Sequence, residues 1–284
     1  MNLCDQRTIQ DLLGRHGFHF SKSMGQNFLI DPQIPHDIAA ASQAGGKCGV
    51  LEIGPGIGPL TAELAQRAGT VVSVELDKAL LPVLAETMAP YPNVEIVPGD
   101  AMKLDLAALA AEKFQGLTPI VCANLPYNIT TPVLTKLVET PCFQTVTVLI
   151  QKEVAQRLAA PQGSSDGSSF SLFLQYHMET EVLFDVPREK FLPSPKVTSA
   201  VLRCVRRKKP AVSVADESFF FKVVRGAFLL RRKTLANSLA AALPQCSKEA
   251  IQTAIAACGL DPAVRGERLT LQNFADLAAR LAER

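Results

Sequence analysis

Four short stretches carry side chains whose types and spacing could do chemistry together: "EIGPGIG" (52–58), Glu75, Asp100 in "GDAM" (99–102), and "NLPYNIT" (124–130). Gly54, Gly56 and Gly58 let the backbone turn sharply and approach a ligand without Cβ collisions. A dinucleotide fingerprint would place its third glycine at 59, where this chain has Pro59, so a single nucleoside fits better than a pyrophosphate. Glu75 follows Gly54 by 21 residues, the position at which an acid accepts hydrogen bonds from a ribose diol. Asp100 can take an adenine amino group while Ala101 and Met102 hold the ring faces. Each residue alone has a plainer reading, as a glycine turn, a surface glutamate or a turn aspartate. A glycine loop and two acids at three successive strand ends favour a ligand, because open α/β sheets bind at the carboxyl ends of their strands.

"NLPY" closes a fourth such run, "TPIVCA", and should border the same crevice. An exocyclic aromatic amine is a poor nucleophile, because its lone pair is delocalised into the ring. The Asn124 side-chain oxygen and the Leu125 carbonyl could each accept a hydrogen bond from such an NH₂. The nitrogen would then be held towards pyramidal geometry, with its lone pair aimed at an electrophile. Pro126 removes a competing N–H and stiffens the turn, and Tyr127 offers a flat face for stacking. A loop with Asn, Pro and a half-buried Tyr is commonplace, but that reading leaves their clustering on this strand end unexplained.

The elements that must position these groups are legible as alternation. "GVLEIG" (49–54), "TVVSVEL" (70–76), "NVEIVPGD" (93–100), "TPIVCANLP" (118–126) and "TVTVLIQ" (145–151) are apolar runs, each followed by a helix-like segment. That pattern predicts a doubly wound α/β sheet with helices on both faces. "APQGSSDGSS" (160–169) reads as a mobile loop. "EVLFDVP" and "SAVLRCVR" read as two more strands forming an antiparallel edge, and only helical patterns follow "RKKP" (207–210). The expected division is one α/β domain over 1–206 and a small all-helical domain over 207–284, without internal repeats.

Composition narrows the class further. The chain has 284 residues, 48% hydrophobic and 20% charged, as in ordinary globular proteins. No apolar run approaches the roughly 18 residues a membrane span needs, and no signal-peptide pattern opens the chain, so no membrane partner is expected. Seven cysteines, odd in number and without C-x-x-C spacing, suggest free thiols in a reducing cytoplasm. His16 and His19 lie three apart with no cysteine or carboxylate at ligand spacing, so no metal is expected. The net charge is only +2, but Arg203 to Lys233 holds ten Lys/Arg against two acids, +8 locally, which leaves −6 on the rest. Such polarisation suggests one face that meets a polyanion.

Taken together, "GQNFLID" (25–31), "EIGPGIGPLT" (52–61), "VELD" (74–77), "GDAM" (99–102), "NLPYNITTP" (124–132), "FLPSPKVTSAVLR" (191–203) and "RRKTLANSL" (231–239) resemble the ribosomal RNA adenine dimethylases. The matches span nearly the whole chain and are closest to the bacterial small-subunit branch. The resemblance implies a Rossmann-like, S-adenosylmethionine-dependent methyltransferase sheet. It implies that Asn27, Leu29, Gly54, Glu75, Asp100 and Asn124 contact the cofactor, and that Asn124, Leu125 and Tyr127 handle the target adenine. It also implies that Phe191 lies near the target base. The basic run Arg231, Arg232 and Lys233 would by default be a solvated helix face, and its place in the +8 segment tilts it towards phosphates. The implied reaction is dimethylation of N6 on two adjacent adenosines near the 3′ end of 16S ribosomal RNA, within the small ribosomal subunit, by a monomer. Two stretches depart from the family pattern: "GSSFSLF" (167–173) replaces a "YGxLSV"-like run, and Leu230 replaces the usual glutamine before "RRK".

Rival readings stay open at this level. In the same class stands a large-subunit RNA or DNA adenine methylase; in a different class, a small-subunit assembly factor that keeps the fold without turnover. A nicotinamide dehydrogenase is disfavoured by Pro59 and by the lack of a proton donor in the motifs.

Overall fold

β-Branched and leucine-rich runs become strands because their side chains pack on both faces of a pleated sheet. In the computed structural model, which describes residues 1–18 and 25–282, the first helix α1 is Gln6–Arg15. Asp5 caps it by accepting from Thr8 N (2.9 Å), and Ile9, Leu12 and Leu13 form its buried stripe. His19, one of the two closely spaced histidines, lies outside the described residues. A short strand β1 (Phe28–Leu29) and helix α2 (Gln33–Ala41) lead into the sheet.

The alternation then runs β2 (Cys48–Ile53), α3 (Pro59–Ala65), β3 (Thr70–Glu75), α4 (Leu81–Thr87), β4 (Val94–Pro98), α5 (Leu106–Lys113), β5 (Thr118–Asn124), α6 (Thr130–Glu139), β6 (Thr145–Gln151) and α7 (Lys152–Leu158). Helix α8 (Ser169–His177), strands β7 (Met178–Val186), β8 (Phe191–Leu192) and β9 (Ser199–Arg206), and helices α9 (Glu217–Ala227), α10 (Leu235–Ala242), α11 (Lys248–Ala257) and α12 (Leu271–Ala282) follow. The main sheet has seven strands in the order β4-β3-β2-β5-β6-β9-β7. Strands β2 to β6 pair in parallel, while β9 runs antiparallel to β6. Strand order reverses between β2 and β5, the place where an open sheet leaves a crevice at its carboxyl edge.

Burial explains the central strands. Val50, Leu51, Val71, Val72, Val121, Cys122, Val148 and Leu149 are each at most 1% exposed, and burying such an aliphatic chain contributes about 1.5–3 kcal/mol. On one side Ile38, Leu60 and Leu64 pack on Val50, Val71 and Leu149; a second cluster joins Ile9 and Leu12 to Phe28, Ile57, Val83 and Leu84.

The chain divides into two compact units, Met1–Ala155 with Glu181–Arg206, and Gln156–Thr180 with Arg207–Arg284. This differs from the expected 1–206 and 207–284 in one stretch. Residues 156–180 group with the C-terminal helices because Leu172 and Tyr176 of α8 share a core with Phe220, Phe221, Leu239, Ile251 and Phe274. The expected mobile loop over 160–169 is also packed: Gln162 Oε1 accepts from Leu271 N (2.9 Å), and a Cβ on Gly163 would come within 3.1 Å of Arg268 O. The atypical "GSSFSLF" stretch opens α8, with Ser168 and Ser171 forming a reciprocal capping box. Among the described residues no helix is long and apolar enough to cross a membrane.

Candidate active site

Strand β2 delivers the glycine loop to the crevice. Gly54, Gly56 and Gly58 have φ of +71°, +63° and +93°, a region that L side chains rarely enter. Gly58 caps α3, and Pro59 occupies the first turn, where its missing N–H costs nothing. A Cβ on Gly58 would meet Met88 Cε at 2.5 Å, whereas one on Gly54 would meet nothing nearer than Pro126 Cδ at 4.0 Å and would simply occupy the cleft.

Strand β3 ends in Glu75, 6% exposed, whose Oε1 accepts from Asp77 N (2.7 Å). Burial pushes its carboxyl above the ordinary range, partly offset by backbone N–H donors from Asp77 and Gly56. Past β4, Asp100 Oδ1 accepts from Met102 N (2.9 Å), and its carbonyl accepts from Lys103 N and Leu104 N, forming a tight turn. Lys136 of α6 donates to Met102 O (2.7 Å) and Leu104 O (2.6 Å) and so holds this turn from the neighbouring wall.

Strand β5 ends at Asn124. Its Nδ2 donates to Asn27 O (3.3 Å), which turns Oδ1 away, and among the described residues no donor reaches that oxygen. Leu125 N donates to Leu149 O (3.1 Å) and its side chain is buried, while its carbonyl also has no donor among the described residues. Tyr127 Oη pairs with Ser199 Oγ at 2.7 Å, which fixes the ring, and burial raises the phenol's pKa.

These groups line one cleft: Asn27, Leu29, Gly54, Glu75, Asp100, Asn124, Leu125 and Tyr127 all border it. The cleft encloses about 210 Å³ and opens to solvent at its mouth.

The remaining residues singled out in the sequence lie outside the cleft's lining. Phe191 does not border the cleft; it is 3% exposed, in the core with Leu29, Val186 and Val201, because β8 pairs antiparallel with β1 (Leu29↔Phe191). Phe191 thus stands behind Leu29, which borders the cleft, and does not line the cleft itself. Arg231, Arg232 and Lys233 are exposed in the turn between α9 and α10 of the second unit, outside the cleft's lining.

Sequence reasoning also missed cleft residues. Gln26 donates through Nε2 to Asp77 Oδ2 (2.8 Å), which leaves its buried Oε1 without a partner. A carboxylate only accepts, so this amide orientation is forced. Glu52, 1% exposed, accepts from Thr61 Oγ1 and Ser73 Oγ, both at 2.6 Å, and desolvation pushes its pKa up to about 7. Both residues sat inside quoted motifs. Lys136, in an ordinary helical stretch, gave no signal.

A mostly parallel sheet with a crevice at its switch point, a glycine loop and strand-end acids are the parts of a nucleoside-binding α/β enzyme; two acceptors without donors among the described residues, Asn124 Oδ1 and Leu125 O, belong to residues that border the same cleft. Comparison with known proteins specifies it further. The family model described as "Ribosomal RNA adenine dimethylase" matches residues 17–283. "Ribosomal RNA small subunit methyltransferase A" of Anoxybacillus flavithermus is 47% identical, covering 96% of this chain and 94% of that protein. The protein of the same description from Geobacillus thermodenitrificans is 48% identical, with 96% and 94% covered. Among solved structures, the 23S rRNA methyltransferase ErmE superposes with a TM-score of 0.70 at 28% identity, covering 90% of this chain and 99% of its own. A dimethyladenosine transferase from Plasmodium falciparum has the same fold, with a TM-score of 0.72 at 24% identity and 90% and 97% covered.

The chain belongs to the ribosomal RNA adenine dimethylase family. It is a methyltransferase, and its methyl donor is S-adenosylmethionine. The cleft fits that donor: the side-chain-free space at Gly54, the buried Glu75 carboxylate and the orphaned Gln26 oxygen offer hydroxyl and amine acceptors in one cavity.

Proposed function

We propose that this protein dimethylates N6 of two adjacent adenosines near the 3′ end of 16S ribosomal RNA, acting on the small ribosomal subunit as a monomer in the cytoplasm. The observation that carries the reading is the pair of unsatisfied acceptors, Asn124 Oδ1 and Leu125 O, at the turn that borders the cleft. The small-subunit assignment is supported by identities of 46–48% to small-subunit methyltransferases, against 28% to a 23S enzyme.

Glu75 would hold the ribose diol of the donor and Asp100 its adenine amino group, with Asn27, Leu29 and Gly54 completing the cradle. When bound, S-adenosylmethionine supplies a sulfonium methyl, an electrophile that needs neither metal nor covalent intermediate. The chain's own task is to make a weak nucleophile competent. Asn124 Oδ1 and the Leu125 carbonyl accept from the target N6–H groups and draw the nitrogen out of conjugation. Tyr127, its hydroxyl tied to Ser199, presents its ring to the base face. Fixed acceptors cost no reorganisation when charge develops on the nitrogen. The N6 proton becomes acidic on alkylation and leaves to water at the open mouth. Among the described residues no histidine lines the cleft, so no imidazole is assigned as base.

Single-turnover methylation by Asn124→Ala tests this. The rate should fall by roughly 10²–10³ with RNA affinity nearly intact; a rate within a few-fold of wild type would remove Asn124 from the mechanism.

A further inference from the structure

Six large hydrophobic side chains are exposed among the described residues: Met1, Leu76, Met102, Val197, Leu229 and Leu230. Leu76 and Met102 border the cleft already described. Leu229 and Leu230, 57% and 39% exposed, are the one adjacent pair, and they stand in the second unit just past the end of α9.

This apolar tip is held in place. Ser238, fully buried, accepts from Leu230 N (3.0 Å) and donates to Gly226 O (2.7 Å). Leu229 N donates to Gly226 O (3.2 Å), and Lys233 N to Leu230 O (2.8 Å). The backbone of the turn is thus fixed at both ends while two leucines are kept in water.

Around the tip stand Arg231, Arg232 and Lys233, with Lys222 and Arg225 three apart on the exposed side of α9. None of the five has an ion-pair partner among the described residues. Cations alone would suit the negative end of α9. Leucines gain nothing there, and their exposure costs burial that other positions of the unit achieve.

We propose that Leu229 and Leu230 form a preorganised apolar contact for RNA bases at an unpaired or unstacked step, with the flanking cations taking the neighbouring phosphates. This deepens the reading of the basic segment as RNA-facing and rests on it. Apolar side chains lie against base faces, which a loop or bulge exposes and a regular duplex hides. The surrounding positive charge selects a polyanion over a second copy of this equally cationic surface.

The test uses the full chain and unmodified small subunits, with binding measured across a salt series. Wild type is compared with Leu229→Ala/Leu230→Ala and with Arg231→Ala/Arg232→Ala/Lys233→Ala. The leucine variant should bind roughly 5- to 30-fold more weakly at every salt concentration, with an unchanged salt slope, because no counterions are involved. The cationic variant should instead lower the slope by about 2–3. Wild-type affinity in the leucine variant overturns the proposal. In that event a weakened cationic variant means that only the tip was misread, whereas an unaffected one removes the RNA-facing reading of the whole segment. A wild-type dimer in sedimentation that the leucine substitutions abolish would also overturn it, by assigning the tip to self-association.

Discussion

Lys136 connects two walls of the cleft, and its removal gives a quantitative expectation. It projects from α6, the helix that grows out of the "NLPY" turn, and donates to Met102 O and Leu104 O at 2.7 and 2.6 Å. Those carbonyls belong to the turn carrying Asp100, Ala101 and Met102. Lys136→Met keeps the aliphatic stem and deletes the ammonium. Hydrogen bonds from a charged donor are worth about 1.5–3 kcal/mol each, but this ammonium is partly exposed, and solvent competition brings each nearer ~1 kcal/mol. The Asp100 turn keeps its own bonds to Met102 N, Lys103 N and Leu104 N, so the loop loosens without detaching. The loss felt by the donor's adenine should then be about 1–2 kcal/mol, roughly 5- to 30-fold in Kd. Titration calorimetry with S-adenosylmethionine should show that loss, while kcat at saturating donor stays within a few-fold, and Lys136→Arg should recover part of the affinity. Unchanged affinity in a Met variant with wild-type circular dichroism would refute the coupling.

Glu75→Ala should weaken S-adenosylmethionine binding by about 1–3 kcal/mol, since the ribose loses charge-assisted hydrogen bonds; calorimetry on the folded variant checks this. Glu52 makes folding stability depend on pH. Its carboxyl is raised from an ordinary 4.5 to about 7 by burial, so its contribution is fully present below about pH 4.5 and is lost as pH rises through about 7. Between about pH 5.5 and 8.5 this group should lower the stability of the ligand-free protein by about 2 kcal/mol. Urea unfolding should show that difference in wild type and lack it in Glu52→Gln; parallel profiles would contradict it.

The sheet was legible because its signals are local. Val, Ile and Leu runs with glycine, acid or amide ends mark β2 to β6 directly, and "TVTVLIQ" coincides with β6. The cleft was legible for the same reason, since parallel strands bring residues such as Glu75 and Asn124, distant in sequence, to one edge. What escaped depended on tertiary packing. Helix α8 hides in a Ser/Gly/Phe-rich stretch of modest propensity and is fixed by its capping box and by Leu172 and Tyr176 in the helical core. Phe191 read as a loop aromatic, because nothing local announces the two-residue pairing of β8 with β1. Lys136 could not be recognised at all: a lysine on a helix is ordinarily solvated, and only the fold brings two carbonyls to it.

The central claim is that this cleft transfers methyl groups to adenine N6 of small-subunit RNA, with Asn124 and Leu125 as the amine's acceptors. Unmodified small subunits incubated with the protein and methyl-labelled S-adenosylmethionine, followed by nucleoside mass spectrometry, test it most directly. The expected product is labelled N6,N6-dimethyladenosine in 16S RNA, nearly absent with Asn124→Ala over the same interval. Label confined to large-subunit RNA, label on another base, or undiminished dimethylation by the Asn124 variant would contradict the account.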